Sequence, residues 1–251
     1  MLPGCHGGLP RRPRGRPHAM NFPTRHRWDL SPAEALALQR KLAREVDGGP
    51  ALGPWETVAA ADVSFDRGGG ELYGAVVVCK AGTFEVIERV GVAGPAAFPY
   101  IPGLLSFREA PALLVAFSRV KTRPDVVLCD GQGIAHPRRL GIASHLGLWL
   151  GIPTVGCAKS LLCGRYEEPG RERGARSPLV DRGEVVGTVL RTRDGVQPLF
   201  VSPGHLCDHG SAVQLVLETT SKLRLPVPIR LAHDYVNSVR RAAKAGESIP
   251  D

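Results

Sequence analysis

Two carboxylates stand where a carboxylate is costly. Asp62 interrupts the apolar run VAAADVSF (58–65), and Asp130 ends the apolar run DVVLCD (125–130). An acid on a buried strand must be paired, protonated or bound to a cation. Two such acids brought close relieve their repulsion through a shared proton or a metal. All-oxygen ligation suits Mg²⁺ or Mn²⁺ rather than zinc. Either acid alone is equally compatible with a strand-end cap or a surface position. Glu109 follows Ser106 at the spacing of a capping box, Ser-Phe-Arg-Glu, and by itself needs no other reading. Asp130-Gly131-Gln132-Gly133 closes its strand with glycines that let a ligand reach the backbone. His136-Pro137-Arg138-Arg139 follows at the expected start of a helix, a favourable place for a phosphate. Lys159 comes after the strand PTVGCA, at the C-terminal strand end where α/β sheets build sites, although a solvated loop position fits it as well. Phe98-Pro99-Tyr100-Ile101-Pro102-Gly103, with Pro95 upstream, is a stiff apolar loop. It either packs on the core or offers Tyr100 and Ile101 to a base stack.

The elements that must position these residues can be read from periodicity. Ser31-Pro32-Ala33-Glu34 is a capping box with Pro at the first helical position, and Ala35, Leu38, Leu42 and Val46 continue it at helical spacing. Residues 57–65, 72–79 and 83–90 predict three antiparallel strands, the last two joined at Lys80-Ala81-Gly82. A helix is expected at 109–121, a strand at 125–130, a helix at 138–150 and a strand at 153–158. The polar stretch 164–178 reads as a surface excursion. Strands at 184–191 and 198–202, a helix at about 208–222 and a short helix near 231–244 complete the order. A meander followed by alternating strands and helices describes an α/β fold, a mixed sheet with helices on its faces.

Composition narrows the partner. The 251 residues carry a formal net charge of +8, and 43% are hydrophobic, too many for a disordered chain. Gly and Pro show no three-residue period, which excludes collagen. No apolar run is long enough to span a bilayer. A positive excess favours nucleic acid. Half of it lies in residues 1–19, through Arg11, Arg12, Arg14 and Arg16 with no acid. That segment has no helical or strand period and is expected to be a disordered basic extension, either upstream of a start at Met20 or a nucleic-acid-binding arm. Residues 20–251 are expected to form one domain. The six cysteines (5, 79, 129, 157, 163 and 207) include no C-x-x-C pair, and with no secretory signal they point to a reducing, cytoplasmic setting.

The motifs together resemble the endonuclease V family. FPYIPGLLSFRE (98–109), PDVVLCDGQGIAHPRRLGIASHLG (124–147), IPTVGCAKSLLCG (152–164) and FVSPGHLCD (200–208) carry the resemblance. HRWDLSPAEA (26–35), VAAADVSF (58–65) and LPVPIRLAHDY (225–235) add weaker matches in the same order. The resemblance implies an RNase H-like fold and a monomeric enzyme that recognises deoxyinosine in DNA. Such an enzyme hydrolyses the second phosphodiester bond 3′ to the lesion, leaving 3′-hydroxyl and 5′-phosphate ends, with Mg²⁺ as cofactor and Mn²⁺ able to substitute. It assigns Asp62, Glu109 and Asp130 to the metal, places His233 near it, and counts these four with Lys159 as catalytic. Tyr100 becomes a strand-separating wedge, with Ile101, Pro102, His136, Arg138 and Lys159 on the nucleic acid. Gly103, Leu105, Gly131, Gly133 and Ile142 would line the hypoxanthine pocket. The sequence departs from the family pattern at Cys129, where an aliphatic or aromatic residue precedes the catalytic Asp. An inosine-specific endoribonuclease acting on RNA, and a catalytically dead nucleic-acid binder, are the alternatives. A phosphate-handling transferase is disfavoured because the chain has no G-x-x-x-x-G-K-[ST] loop.

Overall fold

The computed structural model describes residues 20–250 apart from 67 and 69. The expected basic extension at 1–19 lies outside the described residues. Helix α1 (Pro32–Ala43) starts on the anticipated capping box, with the Ser31 side chain and the Glu34 carboxylate each closing on the other's backbone N–H. Strands β1 (Thr57–Phe65), β2 (Glu71–Lys80) and β3 (Val86–Pro95) form the antiparallel meander. Then come α2 (Leu105–Arg119), β4 (Val126–Cys129), α3 (Ile142–Leu150) and β5 (Thr154–Ala158). Strands β6 (Arg176–Asp181), β7 (Glu184–Leu190) and β8 (Leu199–His205) precede α4 (His209–Thr219) and α5 (Val227–Ala245). One eight-stranded sheet results, in the order β3-β2-β1-β4-β5-β8-β7-β6. Only β1–β4 and β4–β5 pair in parallel.

Strand alternation sorts the core into two layers. Val58 and Ala60 of β1 and Val126 and Leu128 of β4 face the cluster completed by α4 and α5. Ala59, Ala61, Val127 and Cys129 face the cluster completed by α2 and α3. Cys129 therefore packs as a small hydrophobe, and burial pushes its thiol pKa up.

Strands β3 and β8 run several residues beyond their expected ends, and four other differences from the sequence expectation have a clear physical reason. Helix α2 begins at Leu105, before the expected 109, and carries Pro111 in its interior. Proline is normally a first-turn residue, so it draws the apparent start downstream. Leu104 is the N-cap and no side chain caps this helix; the Ser106–Glu109 capping box does not form. Helix α3 begins at Ile142, so His136-Pro137-Arg138-Arg139 is a loop rather than a helix start. The excursion at 164–178 ends in the edge strand β6, joined to β7 by Arg182 (φ 56°) and Gly183 (φ 81°). Two left-handed residues make a tight hairpin turn, and Arg in place of the usual Asn or Asp hides the signal. Helix α5 runs 19 residues, longer than the short helix expected.

Candidate active site

The parallel pairing of β1 with β4 builds the acid pair. Its register sets Ala61 against Cys129, and the Asp130 N–H reaches back to the Ala61 carbonyl at 3.5 Å. One step further along each strand stand Asp62 and Asp130, side by side at neighbouring C-terminal ends. Both continue the series that faces α5, and α5 supplies His233, whose Nδ1 lies 2.8 Å from Asp62 Oδ2. One ligand atom from each of Asp62, Asp130 and His233 falls within a 4.8 Å group able to hold a metal ion. The two carboxylates are only 11% and 13% exposed. Burial, and then the Asp130 charge, raise the Asp62 pKa above its ordinary value, which is the repulsion a cation relieves. Lys159, one residue beyond β5, pairs with Asp130 Oδ2.

Glu109 arrives from α2 on the other face. It lines the same cleft of about 270 Å³ as Asp62, Asp130, Lys159 and His233, but its carboxylate is outside the ligand group. Burial first, then the charges of Asp62 and Asp130, push its pKa up to about 8. The acid set expected from the sequence is thus divided: the two strand acids and His233 form the ligand group, and Glu109 stands beside it.

A second cavity of about 360 Å³ opens onto the first, sharing Leu105, Glu109, Asp130 and Lys159 as wall. Gly103, Gly131 and Ile142 line it, as do Tyr100, Ile101, Pro102 and His136. Gly133 does not. A Cβ there would lie 1.9 Å from the Pro203 carbonyl oxygen, so Gly133 serves the close packing of the loop on β8 rather than a pocket wall.

The pocket's outer wall is held by one carbonyl. Gly103 O accepts from Gln39 Nε2 at 2.9 Å, His136 Nε2 at 3.1 Å and Arg138 Nη2 at 2.7 Å. Gly103 adopts φ +79°, and a Cβ would meet the Arg138 guanidinium at 2.6 Å, so both backbone and space require glycine. The His136 ring is neutral: Nε2–H donates to Gly103, Nδ1 accepts from the Arg138 N–H at 3.1 Å, and burial with the neighbouring Arg138 lowers its pKa to about 4. His136 and Arg138, both expected on the nucleic acid, here donate to the loop. Phe98 and Leu104 bury the loop's two ends against Ala35 and Phe107, while Tyr100 stands 66% exposed.

Sequence reasoning missed Gln39 and the support behind Ser106. Gln39 is fully buried on α1, also donates to Leu140 O at 3.0 Å, and accepts from Arg138 Nε. Its signal was a polar residue four after Ala35, on the helix's apolar stripe. Ser106 Oγ lies 3.0 Å from His145 Nδ1, and His145 Nε2 lies 2.9 Å from His26 Nε2, which also accepts from Trp149 Nε1 at 3.2 Å. Burial drives the His145 pKa down to about 3, so this chain of rings is neutral and fixes the first turn of α2.

Comparison with known proteins agrees with the geometry. The family model for endonuclease V matches residues 38–234. The chain belongs to the endonuclease V family. Endonuclease V of Myxococcus xanthus is 49% identical over 217 residues, covering 86% of this chain and 92% of its own. That of Azotobacter vinelandii is 51% identical over 208 residues, 82% and 93% of the two chains. The crystal structure of endonuclease V from Streptomyces avermitilis superposes with a TM-score of 0.82 at 40% identity, covering 87% of this chain and 96% of its own. Endonuclease V of Ciona intestinalis, crystallised with a 23mer DNA containing an inosine followed by a ribo-adenosine, gives 0.73 at 27% identity over 86% and 98%. The fold is thus the RNase H-like fold of endonuclease V, and the chain is an endonuclease, a nucleic-acid hydrolase with an acidic cluster suited to a metal. No helix among the described residues is long and apolar enough to cross a membrane.

Proposed function

We propose that this protein is a Mg²⁺-dependent DNA repair endonuclease. It recognises deoxyinosine and hydrolyses the second phosphodiester bond on the 3′ side, leaving 3′-hydroxyl and 5′-phosphate ends. The observation that carries this reading is the continuity of the two cavities through Glu109, Asp130 and Lys159. A base turned out of the stack into the pocket leaves its 3′ backbone over the acid cleft. The relative from Ciona bound to inosine-containing DNA supports the substrate class.

Asp62, Asp130 and His233 would hold the cation, and a pair of carboxylate oxygens suits Mg²⁺, with Mn²⁺ as substitute. Bound there, a divalent ion supplies Lewis-acid charge and an activated water for in-line displacement. Lys159 offsets charge gathering on the phosphate. Glu109, at the join of the cavities, keeps a proton near neutral pH when no cation opposes it. Tyr100 fills the gap left by the flipped base, with Ile101 and Pro102 beside it. Gly103, Leu105, Gly131 and Ile142 bound the base, while His136 and Arg138 act on it by fixing the Gly103 carbonyl. Five buried or half-buried free thiols, at Cys79, Cys129, Cys157, Cys163 and Cys207, fit work in the reducing cytoplasm.

The test is a nicking assay with Mg²⁺ on a duplex carrying one deoxyinosine, run beside the unmodified duplex and an inosine-containing RNA. A single cut at the second bond 3′ to inosine in DNA is expected. Preferential cutting of the RNA would replace the DNA reading with the endoribonuclease one; cutting independent of inosine would overturn both.

A further inference from the structure

A third cavity, of about 420 Å³, lies behind the Gly103 clamp and is lined by Arg40, Arg44, Pro137, Arg138, Arg139, Arg182 and Glu184. Five guanidinium groups meet there against one lining carboxylate. Arg139 is already committed: its fork reaches Asp181 at 2.8 Å and Glu184 at 3.0 Å. Arg138 is held on Gly103 and Gln39. Arg40, exposed on α1, and Arg44, exposed at its C-cap, have no side-chain hydrogen bond or ion pair among the described residues. Arg182, at the tip of the β6–β7 turn, is 74% exposed and has only a 3.9 Å approach to Asp181.

Arg40 in the last turn of α1 and Arg44 at its C-cap suit the helix dipole, but that does not account for the convergence. Arg40 and Arg44 are a like-charge pair four residues apart, a spacing that opposes folding. The Arg40 charge further disfavours the protonated form of Arg138. Three separate segments, α1, the 136–139 loop and the β6–β7 hairpin, bring these charges to one concavity. The Arg139 fork fixes the loop to the hairpin, so the groove is preformed. Arg138, held on the Gly103 carbonyl, stands between this groove and the base pocket.

We propose that this groove holds the sugar–phosphate backbone of the duplex flanking the flipped base, with Arg40, Arg44 and Arg182 each facing a phosphate. Guanidinium forks match phosphate oxygens in pairs, and a nucleic acid is the polyanion that the adjoining pocket already takes. The inference rests on the proposed nuclease function and assigns it a sequence-independent anchoring surface outside the cleft and pocket.

The test measures binding of the full-length protein to inosine-containing and unmodified duplexes by fluorescence anisotropy. Divalent ions are left out so that nothing is cut, and the salt concentration is varied. The triple variant Arg40→Ala/Arg44→Ala/Arg182→Ala is expected to bind both duplexes more weakly by the same factor. The slope of log Kd against log salt should fall by about 2–3, since each lost phosphate contact removes about 0.9. The native advantage over the variant then shrinks by on the order of 10–50-fold between 50 and 200 mM salt. Arg44→Lys should keep the slope, because a lysine still neutralises one phosphate, whereas a purely structural guanidinium would not be replaced. An unchanged slope in a triple variant with native melting temperature overturns the proposal. A native protein showing no preference for inosine, with the slope still set by these arginines, would instead overturn the nuclease substrate and leave the groove standing.

Discussion

The acid cleft and the base pocket share a wall, yet they are built in opposite ways. The cleft is made of side chains at the ends of adjacent parallel strands. Its geometry follows from register and alternation: Ala61 opposite Cys129 puts Asp62 beside Asp130 on the α5 face. The pocket is made largely of backbone and apolar surface, and its shape depends on contacts among distant segments. Gln39, His136 and Arg138 converge on Gly103 O. Chemistry placed by strand pairing tolerates change in the surrounding loops, whereas a pocket held by a single carbonyl depends on every donor to it.

Separate variants test the two halves of that contrast. Asp130→Asn removes a ligand without changing shape, and should lower kcat by on the order of 10³-fold or more while inosine-duplex affinity and melting temperature stay near native. Retained cutting would take Asp130 out of the metal site. Gly133→Ala should act on the fold instead. Its Cβ would overlap the Pro203 carbonyl, and about 3 kcal/mol of stability or more should be lost in denaturant unfolding. Tyr100→Ala, on the pocket wall itself, is the opposing control: stability within about 0.5 kcal/mol, and inosine-duplex binding weaker by about 1–3 kcal/mol. A stable Gly133→Ala protein with a damaged inosine preference would return Gly133 to the pocket.

The remaining test is a pH slope. Glu109 has its pKa raised from 4.5 to about 8 in the folded chain, chiefly by burial and then by Asp62 and Asp130. The folded state therefore binds a proton that the unfolded state has released, and this contribution to stability is complete below about pH 4.5 and disappears as pH rises through about 8. Melting curves of metal-free protein should show native and Glu109→Gln stabilities diverging across that window, the native falling faster. Parallel curves would mean that Glu109 ionises normally.

Much of the site was readable before any coordinates. An acid inside an apolar strand identifies itself, because burial leaves it few physical options, and both Asp62 and Asp130 were found that way. The stiff 98–103 loop was legible from its prolines. Glu109 is legible only through the family motif, since Ser106 three residues earlier offers a complete local explanation, which the helix start at Leu105 and the bond from Ser106 to His145 remove. The β6–β7 hairpin escaped because arginine stands where asparagine or aspartate marks the turn. An expected helix start and the family resemblance point His136 and Arg138 at the nucleic acid, and the direction their polar atoms take is a tertiary fact.

The sequence by itself determined the mixed α/β order, the strand acids and their family resemblance, because hydrophobic period and the cost of burying charge act locally along the chain. The tertiary structure decided which acids share a ligand group, which glycine lines the pocket and which is packed shut, and where five arginines meet. Those outcomes depend on contacts between residues as far as 171 positions apart, such as Asp62 and His233 in the ligand group. No local pattern in the chain encodes the direction in which such side chains meet.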